Sequence, residues 1–348
     1  MSFASVFWRA AKSYTGNMFG MPSPFFVSHI VTLDCNMRCN YCTFWREQKK
    51  QKPLAKEEIF DFLDQCKKLN SVIYGMSGGE PLLREDLPEI MQYSKKIGFI
   101  NSLTTNGLLF EKRLPEILPY LDHVGISLDA FDERHAKIRG LNEKNLHERI
   151  VSAIKLAASQ KKLSVDINTV ISGANLDQIV PLAEFAKENR TTISFQPIIE
   201  GPFTPEWLSL KPKEKEFKET IDKLLLLKKK GYPVLNSKDF LKIIRDRKHW
   251  DCRVGRFMLE ITPSGGVIFP CGGLNLAEGG IQEATIGSIR EKPLKEIWLS
   301  KQAKILRERV KKCPRDTECY LNCYVEMSLL ITKSITAFNY SRYLVAGK

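Results

Sequence analysis

Three cysteines fall within eight positions near the N-terminus: Cys35, Cys39 and Cys42, spaced C-x3-C-x2-C in "LDCNMRCNYCTFW". Thiolates are soft ligands, suited to iron–sulfur clusters and to zinc. A structural zinc site asks for four protein ligands. No fourth cysteine follows nearby, although His29, in the strand-like run before the loop, stays open as a zinc ligand. A cuboidal [4Fe–4S] cluster held by three cysteines leaves one iron free for an exogenous ligand. The spacing favours that cluster over zinc and over unrelated thiols.

Such a loop needs a scaffold. Six strand-like runs, 27–33, 71–77, 100–105, 123–128, 164–171 and 192–198, are rich in Val, Ile, Thr and Phe. Helix-like segments follow them at 56–69, 86–98, 112–120, 146–160, 176–188 and 214–230. Strand alternating with helix predicts parallel strands joined by right-handed crossovers. Six units fall short of the eight that close a full barrel, so the expected fold is α/β, a partial (βα)6 TIM-like barrel with one open side. Chemistry in such sheets gathers at the carboxyl ends of the strands. The cysteine loop, "GGEP" (78–81), "TTNG" (104–107) and "SLDA" (127–130) end the first four strands in turn.

The chain has 348 residues, 43% hydrophobic and 27% charged, which suits a globular protein with a large core and a smaller second domain. No apolar run reaches membrane-spanning length, and the first residues lack the h-region of a secretory signal. Nine cysteines without an export signal point to a reducing compartment. The net charge of +13 is uneven. Residues 208–248 hold 13 Lys/Arg against 6 Asp/Glu, and residues 301–315 hold 7 against 1. Solvated helix faces are the ordinary reading of such runs; an acidic partner or an anionic membrane surface is the sharper one. Nucleic acid ranks last, because no aromatic stacking motif accompanies the charge. Residues 1–24 read as a short helical extension with Phe3, Phe7 and Tyr14 on one side. They dock on the protein's own core or, in the sharper reading, on a membrane.

With an aromatic (Tyr41) before the last cysteine and a Gly-Gly-Glu at the next strand end, residues 25–235 resemble the radical S-adenosylmethionine (SAM) enzymes. The resemblance implies a [4Fe–4S] cluster on Cys35, Cys39 and Cys42 whose open iron takes SAM. Reduction then cleaves SAM to a 5′-deoxyadenosyl radical that abstracts hydrogen from a substrate. It further implies that Tyr41, Gly78, Gly79, Glu80, Thr105, Asn106, Ser127 and Asp129 bind the cofactor, with Arg139 a candidate carboxylate partner. Glycines at 78 and 79 would let backbone approach the methionine moiety closely.

After about residue 205 the pattern changes. A Lys-rich helical connector (206–250) leads to "CRVGRFMLEITPSGGVIFPCGG", a predicted hairpin turning at Ser264-Gly265-Gly266, then a helix over 293–312. Cys252, Cys271, Cys313, Cys319 and Cys323 resemble a SPASM or shorter "twitch" auxiliary iron–sulfur domain, here 251–326, with a tail over 327–348. The pattern departs from a full SPASM set: Met258 and Val310 stand where cysteines are usual. Five thiolates cannot fully ligate two four-iron clusters, so one auxiliary [4Fe–4S] cluster on Cys252, Cys271 and two of the last three cysteines is preferred over two incompletely ligated clusters, zinc or no metal; it would staple a small module with little core. Cys66 reads as a core thiol, and His123, His135, His147 and His249 lack ligand spacing.

The expected function is therefore a radical SAM oxidoreductase in the cytoplasm or peripheral on the membrane's inner face. Its reductant would be of the flavodoxin or ferredoxin kind, and its substrate an unidentified organic molecule, lipid or peptide. The alternatives are a peptide maturase of the same chemistry and a non-enzymatic iron–sulfur electron carrier.

Overall fold

The computed structural model describes residues 3–46, 52–201, 203–270, 285–311 and 319–332. The six expected strands are present: β1 (Phe26–Thr32), β2 (Ile73–Gly78), β3 (Ile100–Thr105), β4 (His123–Ser127), β5 (Ser164–Ile171) and β6 (Thr192–Pro197). Each pairs in parallel with the next. The helices are α1 (Phe3–Met18), α2 (Lys56–Lys68), α3 (Leu87–Ile97), α4 (Phe110–Ile117), α5 (Arg134–Ile138), α6 (Leu146–Ala158), α7 (Ile179–Glu188), α8 (Glu214–Lys229) and α9 (Lys238–Arg245). The architecture is an open α/β barrel.

The helices bury one stripe each, as their 3.6-residue period requires. In α2 that stripe is Ile59, Phe62, Leu63 and Cys66, and Glu58 reaches back to accept from the Ala55 N–H at 2.8 Å. Strand residues alternate between faces. Val27, Val31, Leu103, Val124, Val165 and Ile167 join the core packed against helices. Their neighbours in sequence, among them Ser28, Ser102, His123, Asp166 and Asn168, face the other way, into the barrel. His29 lies on the helix side, fully buried against Phe62, with Nδ1 2.7 Å from the Tyr74 hydroxyl. It does not join the cysteine loop.

The predicted hairpin forms from β7 (Met258–Ile261) and β8 (Gly266–Ile268), and a further strand, β9 (Thr285–Ser288), pairs antiparallel with β8. The hairpin does not stand apart. β7 lies parallel to β1, giving one nine-stranded sheet in the order β6-β5-β4-β3-β2-β1-β7-β8-β9. A single apolar core accordingly runs from the barrel through Leu259, Val267, Trp298 and Val325. The helix expected over 293–312 is two, Leu294–Trp298 and Lys301–Lys311, because the Ser300 hydroxyl accepts from Ala303 N–H at 3.2 Å and restarts the second. A last helix spans Asn322–Thr332.

α1 docks on the protein's own core, as the ordinary reading had it, but through its polar side. Its buried face is polar: Arg9, Ser13 and Asn17. The Arg9 guanidinium donates to the carbonyls of Ser71 (2.6 Å) and Gly98 and lies over the Phe99 ring. Ser13 and Asn17 donate to the Ser23 carbonyl at 2.8 and 2.7 Å. The turns beneath α1 expose carbonyls that need donors, so the polar stripe docks and Phe7 and Tyr14 face outward. No described helix is long and apolar enough to cross a membrane.

Candidate active site

The ends of β1 to β4 bring most of the singled-out residues into one locked assembly. Glu80 is the centre of it. The carboxylate is fully buried and accepts from the Thr105 hydroxyl (2.7 Å), the Leu82 N–H (3.1 Å) and the Asn106 N–H (2.8 Å). "GGEP" and "TTNG" are thus tied together through one side chain. Burial raises the Glu80 carboxyl to about 7, and the three donors pull against it. The Asn106 amide in turn donates to Asn36, inside the cysteine loop, at 2.7 Å.

Gly78 and Gly79 press against the entry to that loop. A Cβ at Gly78 would overlap the Thr32 carbonyl, and one at Gly79 the carbonyls of Leu33 and Asp34. The close approach is therefore to the chain's own backbone, and it is sealed by Gly79 N–H to Thr32 (2.9 Å) and Glu80 N–H to Asp34 (2.7 Å).

The far side of the loop rests on the end of α5. Arg38 N–H donates to the Arg139 carbonyl and Asn40 N–H to that of Ile138, both at 3.1 Å. Gly140 has φ +67°, and a Cβ there would overlap the Arg38 carbonyl. Asp129 is fully buried. It accepts from Arg139 Nε at 2.7 Å and from Val170 N–H at 3.0 Å, while its own N–H donates to His135 Nδ1 at 3.1 Å. Arg139 so held lies beside Cys39 and 6.0 Å from the centre of the Tyr41 ring. Ser127, buried, ends β4 opposite Asn168. Sequence reasoning marked Arg139 but missed the Gly140 and Asn36 contacts, whose only signal was adjacency to marked residues.

Cys39 is buried, and Cys35 and Cys42 are half-buried. Burial raises all three thiols, Cys42 to about 11, and the charge of Cys39 adds to the rise at both others. Among the described residues no three His, Cys, Asp or Glu side chains converge on a single-ion position. Three soft thiol donors on one loop suit a multi-iron cluster, where each thiolate takes its own iron.

A second group of thiols gathers at the C-terminal elements. Cys252 and Cys319 pack on the apolar cluster of Val254, Met258 and Tyr324, and burial, with the nearby Glu260 and Cys319 adding to it, pushes the Cys323 thiol up to about 12. Met258 is buried in that cluster and Val310 in the main core, apolar fillings where thiols were expected from a full SPASM set. Cys271 and Cys313 lie outside the described residues.

An open parallel barrel with three thiols at its mouth and further thiols in a hairpin-and-helix module defines an iron–sulfur enzyme of the SAM-cleaving class. Comparison with known proteins agrees. Residues 29–186 match the Radical SAM superfamily, and residues 252–324 match SPASM, an iron-sulfur cluster-binding domain. The chain belongs to the Radical SAM superfamily and carries a C-terminal SPASM domain; a [4Fe–4S] cluster, SAM and auxiliary iron–sulfur binding go with that membership.

It is 33% identical over 183 residues to a GTP 3′,8-cyclase of Aquifex aeolicus, covering 50% of this chain and 56% of that one. It is 24% identical over 289 residues to an Fe-coproporphyrin III synthase of Methanosarcina barkeri, covering 77% and 72%. The fold is similar to that of anSMEcpe, solved with bound AdoMet, with TM-score 0.65, 20% identity and coverage of 92% and 98%. The chain spans about half the length of the cyclases it matches.

Proposed function

We propose that this protein is a radical SAM oxidoreductase whose barrel lumen takes a hydrogen-bonding substrate. The observation that carries the reading is the Glu80 hub, which ties the cysteine loop to the ends of β2 and β3. When bound, the cluster on Cys35, Cys39 and Cys42 supplies the electron that cleaves SAM to the radical that abstracts a substrate hydrogen. The chain's own residues prepare that event. The Glu80, Thr105, Asn106 and Asn36 bonds fix the loop from one side, and the Asp129–Arg139 pair fixes it from the other. Tyr41 and Ser127 complete the cofactor surface. Cys252, Cys271 and two of Cys313, Cys319 and Cys323 would hold one auxiliary [4Fe–4S] cluster. A one-electron donor such as flavodoxin or ferredoxin serves as partner in the cytoplasm.

The lumen favours a neutral or cationic substrate over a polyphosphate. Ser102 and His123 bond at 2.9 Å. Asp166 accepts from Thr192 (2.8 Å) and Ser194 (2.6 Å), and Ser194 lies 2.9 Å from Asn168. Glu260 accepts from the Tyr324 hydroxyl at 3.1 Å. These groups offer hydroxyls, amides and carboxylates, and no cation is among them.

The test is anaerobic reconstitution with iron, sulfide, SAM and a strong reductant. Wild-type protein should form 5′-deoxyadenosine, and Cys39→Ala should form none. A reconstituted wild type that binds its iron but never cleaves SAM would establish an electron carrier in place of an enzyme.

A further inference from the structure

α1 is an inside-out amphipathic helix. Its polar stripe is buried, and its outward face with the turn that follows shows Phe7, Trp8, Tyr14, Met18, Phe19 and Met21, with Trp8 63% and Phe19 82% exposed. Exposed large apolar side chains this contiguous mark a contact surface. The helix is anchored where that face points out of the barrel floor, because Arg9 grips the turns that enter β2 and β3.

The same floor is basic. In a parallel barrel every helix ends there, and the last turns and linkers expose Lys67, Lys68, Lys96, Lys161, Lys162 and Arg190. Lysines are favoured at helix C-termini in any protein, so the rim by itself means little. On this floor the opposing acids in the same last turns and linkers are Glu116, Asp122, Glu188 and Asp246, and Glu116, Asp122 and Asp246 are already paired, with Arg113, Lys95 and Arg245. Lys12 adds a further exposed charge on α1 itself.

We infer that the barrel floor docks on an anionic lipid bilayer, with the aromatic face of α1 lying in the interface and the lysine rim against the headgroups. Tryptophan, tyrosine and phenylalanine above a cationic rim suit that boundary. A second copy of the chain is the poorer occupant, since dimerising through this face would set two like-charged rims of a +13 protein against each other. The orientation has a consequence. The mouth lies at the opposite ends of the strands, roughly 20 Å from the floor at about 3.3 Å per residue, so it opens away from the bilayer.

The inference does not depend on the radical chemistry, and flotation of the full chain reads it separately. Vesicles of phosphatidylcholine with phosphatidylglycerol should carry the protein up at low salt. Phosphatidylcholine alone should carry far less, as should roughly 1 M salt, where screening shortens to about 3 Å. Trp8→Ser combined with Phe19→Ser should cut the bound fraction about tenfold or more while SAM cleavage and the unfolding temperature stay at wild-type values. Lys67→Gln with Lys68→Gln should weaken binding and flatten its salt dependence. Absence of flotation, or flotation undiminished by the aromatic substitutions, overturns the inference. So does light scattering that finds a wild-type dimer and a monomeric Trp8/Phe19 variant, which would make the face a self-interface.

Discussion

Glu80 shows how much a single buried carboxylate can organise. Removing it as Glu80→Ala leaves the Thr105 hydroxyl and two N–H groups without their acceptor, at a cost of roughly 3 kcal/mol. Chemical denaturation should show that loss, and SAM affinity should fall with it because "TTNG" is no longer tied to "GGEP". Asp166 gives a pH signature. Burial raises it from 3.8 to about 6 although two hydroxyls donate to it. A folded pKa above the unfolded one means that its contribution is full below about pH 4 and is lost as pH rises through about 6. Asp166→Asn should remove that loss. Relative to wild type, the variant should gain about 2–3 kcal/mol on going from about pH 4 to pH 7, read from denaturant midpoints.

At the scale of elements, the cysteine loop is held between two neighbours by close backbone approaches. Gly140→Ala puts a methyl into the Arg38 carbonyl at a positive φ. It should cost on the order of 1–3 kcal/mol and, more tellingly, lower iron loading of the N-terminal cluster, measured by iron and sulfide content after reconstitution. α1 makes the complementary case. Its attachment rests on the Arg9 contacts with two carbonyls, so Arg9→Met should lower the unfolding free energy by about 2 kcal/mol and raise protease cleavage between residues 18 and 25.

For the whole molecule, the C-terminal elements are continuous with the barrel through β1 and β7 and through one shared core. Cys252 sits on this shared frame, far in sequence from the mouth. Cys252→Ala should remove about four irons per chain and leave the iron on Cys35, Cys39 and Cys42 in place, as counted by iron and sulfide assay. If the count falls to zero, the two sites load as one unit; if it does not fall, no auxiliary cluster rests on Cys252.

The chain's local patterns already carried a large part of this protein. Six strand–helix units were legible because period and composition are local properties, and the C-x3-C-x2-C loop was legible because thiolate number and spacing are chemistry written in line. Contacts between distant segments were not. That Glu80 bonds across to Thr105 and Asn106, that Gly78 and Gly79 yield space to the chain's own carbonyls, and that β7 extends the sheet beside β1 all depend on which strands become neighbours. α1 is the clearest instance. Arg9, Ser13 and Asn17 recur every four residues and stood in the sequence as a polar stripe, ordinarily the solvent side. Only the tertiary structure set unpaired carbonyls beneath that stripe, and the need to satisfy them turned the aromatic face outward.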